Sequence, residues 1–270
     1  MCSVETSHRP ITPLWLPVLS LWRREIVRFV RQRSRVIGAL GTPLVFWLLI
    51  GSGVGRSFQL GDQSQTTNYL EYSFPGTIVL IVLFTAIFSM ISIIEDRREG
   101  FMQAVLAAPV RRSAIVLGKI MGSTTLALMQ ALLVLMLAPT VHITLTAASV
   151  AAVVAVLVVI SIGLSGLGFL IAWPMESTQG FHAIMNLFLI PMWLLSGAFF
   201  PATGAASWMA WVMAVNPLTY GVAALRHGFY LGSADQAAAT PSLGVSVAVT
   251  IGFAALMVVL STRVVSRDRG

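Results

Sequence analysis

Charge is what this sequence has least of. Only 10% of its 270 residues are Asp, Glu, Lys or Arg, where soluble domains carry roughly 25%. Hydrophobic residues make up 57%, and the mean hydropathy is +0.86. Such a chain cannot solvate its surface in water, which excludes a soluble globular domain and leaves lipid to take up the apolar excess. Cysteine is nearly absent as well. Cys2 stands alone, so no intrachain disulfide forms and an oxidised scaffold is excluded. Four scattered histidines and that one cysteine supply no metal-ligand cluster. The chain also has no G-x-x-x-x-G-K-[ST] phosphate loop: the one Gly-Lys pair, Gly118–Lys119, has Ser113 where the first loop glycine belongs. A cleavable signal peptide is not expected, since residues 1–35 hold three prolines and seven arginines in place of an apolar core with a small-residue cleavage site.

Long apolar runs are what the chain does have. A transmembrane helix needs about 20 mostly apolar residues to cross a hydrocarbon core roughly 30 Å thick. Six stretches qualify, at about 36–54, 74–94, 114–138, 149–172, 181–200 and 241–261. They lack the alternation of barrel strands, and lipid offers an unpaired backbone no partner, so the fold class is an all-α integral membrane protein. No acid lies well inside any of the six stretches, unlike the usual proton- or ion-coupled carrier.

The basic residues then orient the chain. Fifteen of the seventeen fall in the N-terminal segment, in or beside the connection between the second and third spans, and in the C-terminal tail. Only Arg56 and Arg226 fall on the other side. Basic loops stay cytoplasmic, so both termini are expected in the cytoplasm. In a membrane protein, the net charge of +7 points to anionic headgroups and not to nucleic acid.

One short stretch concentrates the scarce charge: IIEDRREGFMQAVLAAPVRRS, residues 93–113. A cytoplasmic position explains the arginines, because charge is costly in lipid. It does not explain Phe101, Met102, Val105, Leu106 and Ala108, which recur at helical spacing. They predict a short helix that either docks in a groove of another protein or lies on the membrane surface. Residues 14–35 predict a second amphipathic helix, in the interfacial plane. Leu19, Trp22, Ile26, Phe29 and Val30 share its apolar face; Arg24, Arg28, Arg31 and Arg35 face phosphates, a cytosolic partner or both. Residues 201–231 are too apolar for an exposed loop and too broken for a span. Asn216–Pro217 divides them into two short helices, 206–215 and 218–230, with Trp208, Trp211, Tyr220 and Tyr230 suited to the interfacial belt. They read as a re-entrant hairpin capping the outer mouth.

Within the spans, Gln130 and Asn186 are the deepest polar residues, and either contact substrate or bond a neighbouring helix. Phe188, Met192 and Trp193 either line an apolar route or face lipid. Gly118 and Gly122 have the G-x-x-x-G spacing for close helix approach, and Lys119 is expected to snorkel to the headgroups.

Taken in order, EDRREG, LAAPVRRS, LGK, SGAFFP, NPLTY and ALRHG, set among these spans, resemble the membrane subunit of ABC-2-type exporters. That class includes the daunorubicin-resistance and nodulation lipo-oligosaccharide permeases, and the resemblance runs from about Leu19 to the last span. It implies one transmembrane domain over residues 1–270, with 14–35 as a connecting helix and 95–113 as a coupling loop on a separate ABC ATP-binding subunit. On that resemblance Glu95, Asp96, Arg97, Arg98, Glu99 and Gly100 touch the ATPase, while Phe101, Met102 and Leu106 anchor in its cleft. Residues 173–180 add shorter contacts. Trp208, Trp211, Asn216, Pro217 and Tyr220 form the external gate. ATP and magnesium belong to the partner subunit, and this chain has no cofactor or enzymatic activity of its own. A second permease copy, identical or a close paralogue, completes the exporter.

Two rivals share these features. GLSG at 163–166 resembles the rhomboid G-x-S-G nucleophile motif, but the last span has no histidine to serve Ser165. An ATPase-coupled assembly or maturation factor would have the same architecture without exporting. No charged ring or filter-like loop points to a channel. The reading is a dimeric six-span permease of the cytoplasmic (inner) membrane that moves an amphipathic, drug-like, lipid-linked or saccharide compound outward.

Overall fold

The computed structural model describes residues 14–31, 69–198, 206–231 and 241–267, together with 37, 38, 41, 44, 45 and 47–49. Every regular element among them is helical. In chain order these are α1 (Trp15–Arg31), α2 (Tyr69–Phe88), α3 (Ile91–Arg98), α4 (Phe101–Ala107), α5 (Arg112–Leu135), a 3-10 turn (Ala138–Val141), α6 (Ala147–Ala172), α7 (Thr178–Leu194), α8 (Ser207–Val215), α9 (Pro217–Phe229) and α10 (Leu243–Arg267).

α2 sits at the centre. It is apolar on every side, and a helix of that kind is stable in a protein only when surrounded. Residues 73–83 are all buried, against α5, α6, α7 and α9. α10 is nearly as apolar but buries a single stripe of Ser246, Thr250, Ala254, Met257, Ser261 and Val265. Leu256 and Val259 lie outside, which suits lipid or another apolar surface. Glycines bring the helices together: a Cβ on Gly163 would lie 2.8 Å from the Phe253 ring, and one on Gly166 2.8 Å from the Met257 Cβ.

Among the described residues, four helices are long and apolar enough to cross a membrane: Tyr69–Arg98 (α2 continued by α3), α5, α6 and α10. The count is five if α8 and α9, bent by 80°, form one broken span. These correspond to the second, third, fourth and sixth expected spans. α10 runs past the expected end at 261 to Arg267, and the third span ends at Leu135, three residues short of 138. The first expected span, 36–54, lies mostly outside the described residues. The expected fifth span is shorter than its apolar run: α7 has 17 residues and stops at Leu194, before Gly197 at φ 75°. A left-handed glycine shortly past a helix end turns the chain away from the axis. α7 buries Phe181, Met185, Leu189 and Trp193 on one face and exposes Leu187 and Phe188.

Local chemistry sets the remaining boundaries. The Thr146 hydroxyl accepts from the Ser149 amide at 3.1 Å while the Ser149 hydroxyl accepts from the Thr146 amide at 2.8 Å, a reciprocal cap that starts α6. Gly100, at φ 76°, makes the corner between α3 and α4 that a residue with a Cβ rarely adopts. The hairpin breaks where expected. Asn216 caps α9 by accepting from the Leu218 amide at 3.0 Å, and Pro217 takes the first helical position, where no amide proton is needed.

Candidate functional site

The charged residues of the N-terminal helix and of the loop after α2 converge on Asp96, at the end of α3 and fully buried. Arg24 grips it with both arms, Nη1 to Oδ2 at 2.9 Å and Nη2 to Oδ1 at 2.6 Å. Arg28 donates to Asp96 Oδ1 at 2.7 Å and to Glu95 Oε2 at 2.8 Å. From the opposite side Lys119 bonds Asp96 Oδ2, the Glu25 carboxylate at 2.6 Å and the Ser92 hydroxyl at 2.9 Å. Three cations thus face Asp96, Glu95 and Glu25 in one network. Buried charge is tolerated only when paired and hydrogen-bonded in this way. Burial works to lower the Arg24 pKa, but the hydrogen bond and charge of Asp96 outweigh it and leave the guanidinium above its ordinary value.

The glycine pair makes this meeting possible. A Cβ on Gly118 would lie 2.7 Å from the Leu21 Cβ, and one on Gly122 2.8 Å from the Glu25 Cβ. α1 therefore rests directly on α5, and Glu25 reaches Lys119. Trp22 turns the same way, donating to the Thr125 hydroxyl at 3.0 Å.

Two expectations are corrected here. Lys119 does not snorkel to headgroups; it is 1% exposed, because two carboxylates and a hydroxyl within the chain take up its ammonium. Arg24 and Arg28 do not face phosphates, because the polar face of α1 turns onto the protein. Leu16, Leu19 and Val30 are exposed in their place, and Arg31 is exposed as well.

The nine residues of the coupling loop divide. Asp96 and Met102 are buried within the chain. Glu95 bonds Arg28, Arg97 lies 5.1 Å over the Trp173 ring, and Arg98 donates to the Glu176 carbonyl at 3.0 Å. Those last two contacts tie the loop to the turn at 173–180. Phe101 is half-buried beneath the Arg24 guanidinium, 3.7 Å from its ring centre. Glu99 and Leu106 are exposed, and Gly100 is at the corner.

In the interior, Gln130 is 3% exposed and accepts from the Thr85 hydroxyl at 2.8 Å, while its Nε2 has no partner among the described residues. Trp193 is buried and donates to the Gly76 carbonyl at 2.9 Å. Met192 borders a narrow apolar crevice with Leu164, Pro217 and Phe253. Asn186 is exposed on the open side of α7. Ser165 is fully buried and donates to the Ser123 hydroxyl at 2.8 Å, so its bond goes to a serine and not to a histidine base.

At the other end, Asn216 donates to the Met192 carbonyl at 2.6 Å and the Leu195 carbonyl at 3.1 Å, tying the hairpin to α7. Tyr220 donates to the Ala214 carbonyl at 2.8 Å, across the bend after which Pro217 opens α9. Trp208 and Trp211 are exposed. Arg226, which in the sequence served only to orient the chain, is 7% exposed, donates to the Gly197 carbonyl at 2.9 Å and lies 4.0 Å over the Tyr72 ring. Glu25 is the other missed residue. Its signal was a single acid on a helix whose other charges are all basic, facing the chain's one lysine.

A profile of a family described as "ABC-2 type transporter" matches residues 17–230. The inner membrane transport permease YadH of Escherichia coli K12 is 24% identical over 241 residues, which is 88% of this chain and 92% of that one. The ycf38 proteins of Cyanophora paradoxa and Porphyra purpurea, both named as transport permeases, are 23% and 20% identical over 76% and 77% of this chain and 71% and 72% of theirs.

Proposed function

Because the chain belongs to the ABC-2 type transporter family, and is thereby a membrane permease of an ABC transporter, we propose that it is the pathway-forming subunit of an ATP-driven exporter. ATP is hydrolysed on a separate nucleotide-binding subunit, where the magnesium also sits. The reading has six spans, with residues 36–54 as the first, both termini in the cytoplasm and the chain in the inner membrane. Two copies, or one copy and a close paralogue, enclose the route. The cargo is amphipathic, drug-like, lipid-linked or saccharide.

One observation carries the coupling part of this reading. Gly100 turns the chain at the arginine-rich end, so that α4 lies as a separate helix between two membrane-crossing ones. Arg24 holds that corner from two sides, through Asp96 before it and Phe101 after it. Met102 faces inward and Leu106 outward, the arrangement of a short helix that is rigid beneath and presents an apolar residue above. Leu106, Glu99 and the exposed residues between them are the docking surface for the ATPase, and Phe101 and Met102 set its position. The bent pair α8–α9 is the outer gate, hinged at Asn216–Pro217.

Extraction from the native membrane in mild detergent, followed by mass spectrometry, tests the reading. A near-stoichiometric subunit with a phosphate loop is expected, and Leu106→Asp should lower its recovery several-fold while the permease stays in the membrane. Equal recovery from variant and wild type would sink the docking assignment.

A further inference from the structure

Six carboxylates lie among the described residues. Glu25, Glu95, Asp96 and Glu99 each have a basic residue within ion-pair distance at the arginine-rich end, and Glu176 is exposed. Glu71 differs from all of these. It is partly buried at the start of α2, the opposite end of the bundle, and no ion pair to Lys or Arg reaches it among the described residues. The Tyr230 hydroxyl, at the end of α9, donates to its Oε1 at 3.4 Å. A half-buried carboxylate whose side-chain partner is a phenol lacks the compensation that a structural ion pair supplies.

Glu71 also opens onto a cavity of about 200 Å³. The other walls come from separate parts of the chain: His142 and Thr144 after the 3-10 turn, the cap of α6 at Thr146, and Phe229 and Tyr230 from α9. His142 is held there in a left-handed conformation, φ 63°, uncommon outside glycine. At about 30 Å³ per water the space holds roughly six waters, too little for a drug-sized molecule and enough for a small one.

The lining selects the ligand. A carboxylate with no Lys or Arg paired to it among the described residues, and only the His142 imidazole beside it, disfavours anions, and a neutral guest would not complement it. A metal ion is disfavoured, since no group of three or more His, Cys, Asp or Glu side chains gathers among the described residues. An ammonium group satisfies the lining: it donates to Glu71 and to the imidazole or hydroxyls, and its alkyl part rests on the Phe229 and Tyr230 rings. We propose that this cavity binds the ammonium head of a small primary amine, with Glu71 as its principal acceptor. The proposal does not depend on ATP coupling, on the docking of α4 or on which side of the membrane the cavity faces.

Titration calorimetry on the full chain in lipid nanodiscs near neutral pH tests it, with n-butylammonium as the probe and n-butanol as its uncharged counterpart of equal length. Saturable binding of the amine is expected, at least about tenfold tighter than any binding of the alcohol, and weakened about tenfold or more in Glu71→Gln. That substitution keeps the side-chain shape, and a matching melting curve and elution volume establish that the variant is folded. Should it not fold, the comparison of amine and alcohol on the native chain decides alone. Absence of saturable amine binding, equal affinity for the alcohol, or an unchanged affinity in folded Glu71→Gln would each overturn the proposal.

Discussion

Lys119 is the chain's one lysine, and nearly all of its surface is buried between Glu25 and Asp96. Replacing it by Met removes a cation from a place where two anions depend on it. Asp96 keeps Arg24 and Arg28, whereas Glu25 keeps only Arg24, 3.7 Å away and already committed to Asp96. Breaking a buried pair from one side costs about 3–5 kcal/mol. Lys119→Met should therefore lower the melting temperature in detergent and the yield from membranes, and Lys119→Met combined with Glu25→Gln should recover most of the loss. A single variant as stable as wild type, or a double variant no better than the single, would contradict this account of the pair. Snorkelling was the natural expectation for a lysine near a span end, because local spacing shows only the length of its side chain. Its partner Glu25 stands 94 positions earlier, and no periodicity links the two. Ser165 is the opposite case. A small residue beside glycines in an apolar run already reads as helix packing, and its bond to Ser123 agrees with that.

α1 shows at the scale of an element what an amphipathic pattern reveals and what it leaves open. The pattern correctly gives a helix with an arginine face and an apolar face. It does not say which face turns to the protein, and the buried Asp96 of α3 draws the arginines inward. Gly118 and Gly122 supplied the complementary signal, since a G-x-x-x-G spacing marks a surface that another helix can approach closely. Gly122→Ile should lift α1 from α5, because its side chain would occupy the place of the Glu25 Cβ, at a cost of about 1–3 kcal/mol. Cysteines at 22 and 125, where the Trp22 and Thr125 side chains meet, should crosslink efficiently in the parent and poorly in the Gly122→Ile background. Undiminished crosslinking would show that the glycine is not needed for docking. The break at Asn216–Pro217 was legible because capping and proline geometry are local. The difference between buried α2 and half-exposed α10 was not, because lipid and protein both accept an apolar side chain.

The whole molecule reads as two ends joined by buried helices. At the arginine-rich end, ion pairs join α1, α3 and α5, and Arg24 over Phe101 extends that body to α4. At the other end, Arg226, Asn216 and Tyr230 fasten the bent helix pair to α2 and α7. Membrane class and family were legible from composition and from the order of the motifs, and the family profile agrees over 17–230. The division of labour within the coupling loop was not. Asp96 and Leu106 lie ten residues apart in one motif, and only three-dimensional packing sends one inside and the other out. Our central claim is that α4 meets the ATP-binding subunit through its exposed side, resting on a base that the chain builds for itself. Site-specific photocrosslinking in native membranes tests it most directly, with the photoreactive residue placed at 106 or at 102 and adducts identified by mass spectrometry. The account predicts capture of a subunit with a phosphate loop from position 106 and little or none from 102. Absence of capture at 106, or stronger capture at 102, would contradict it.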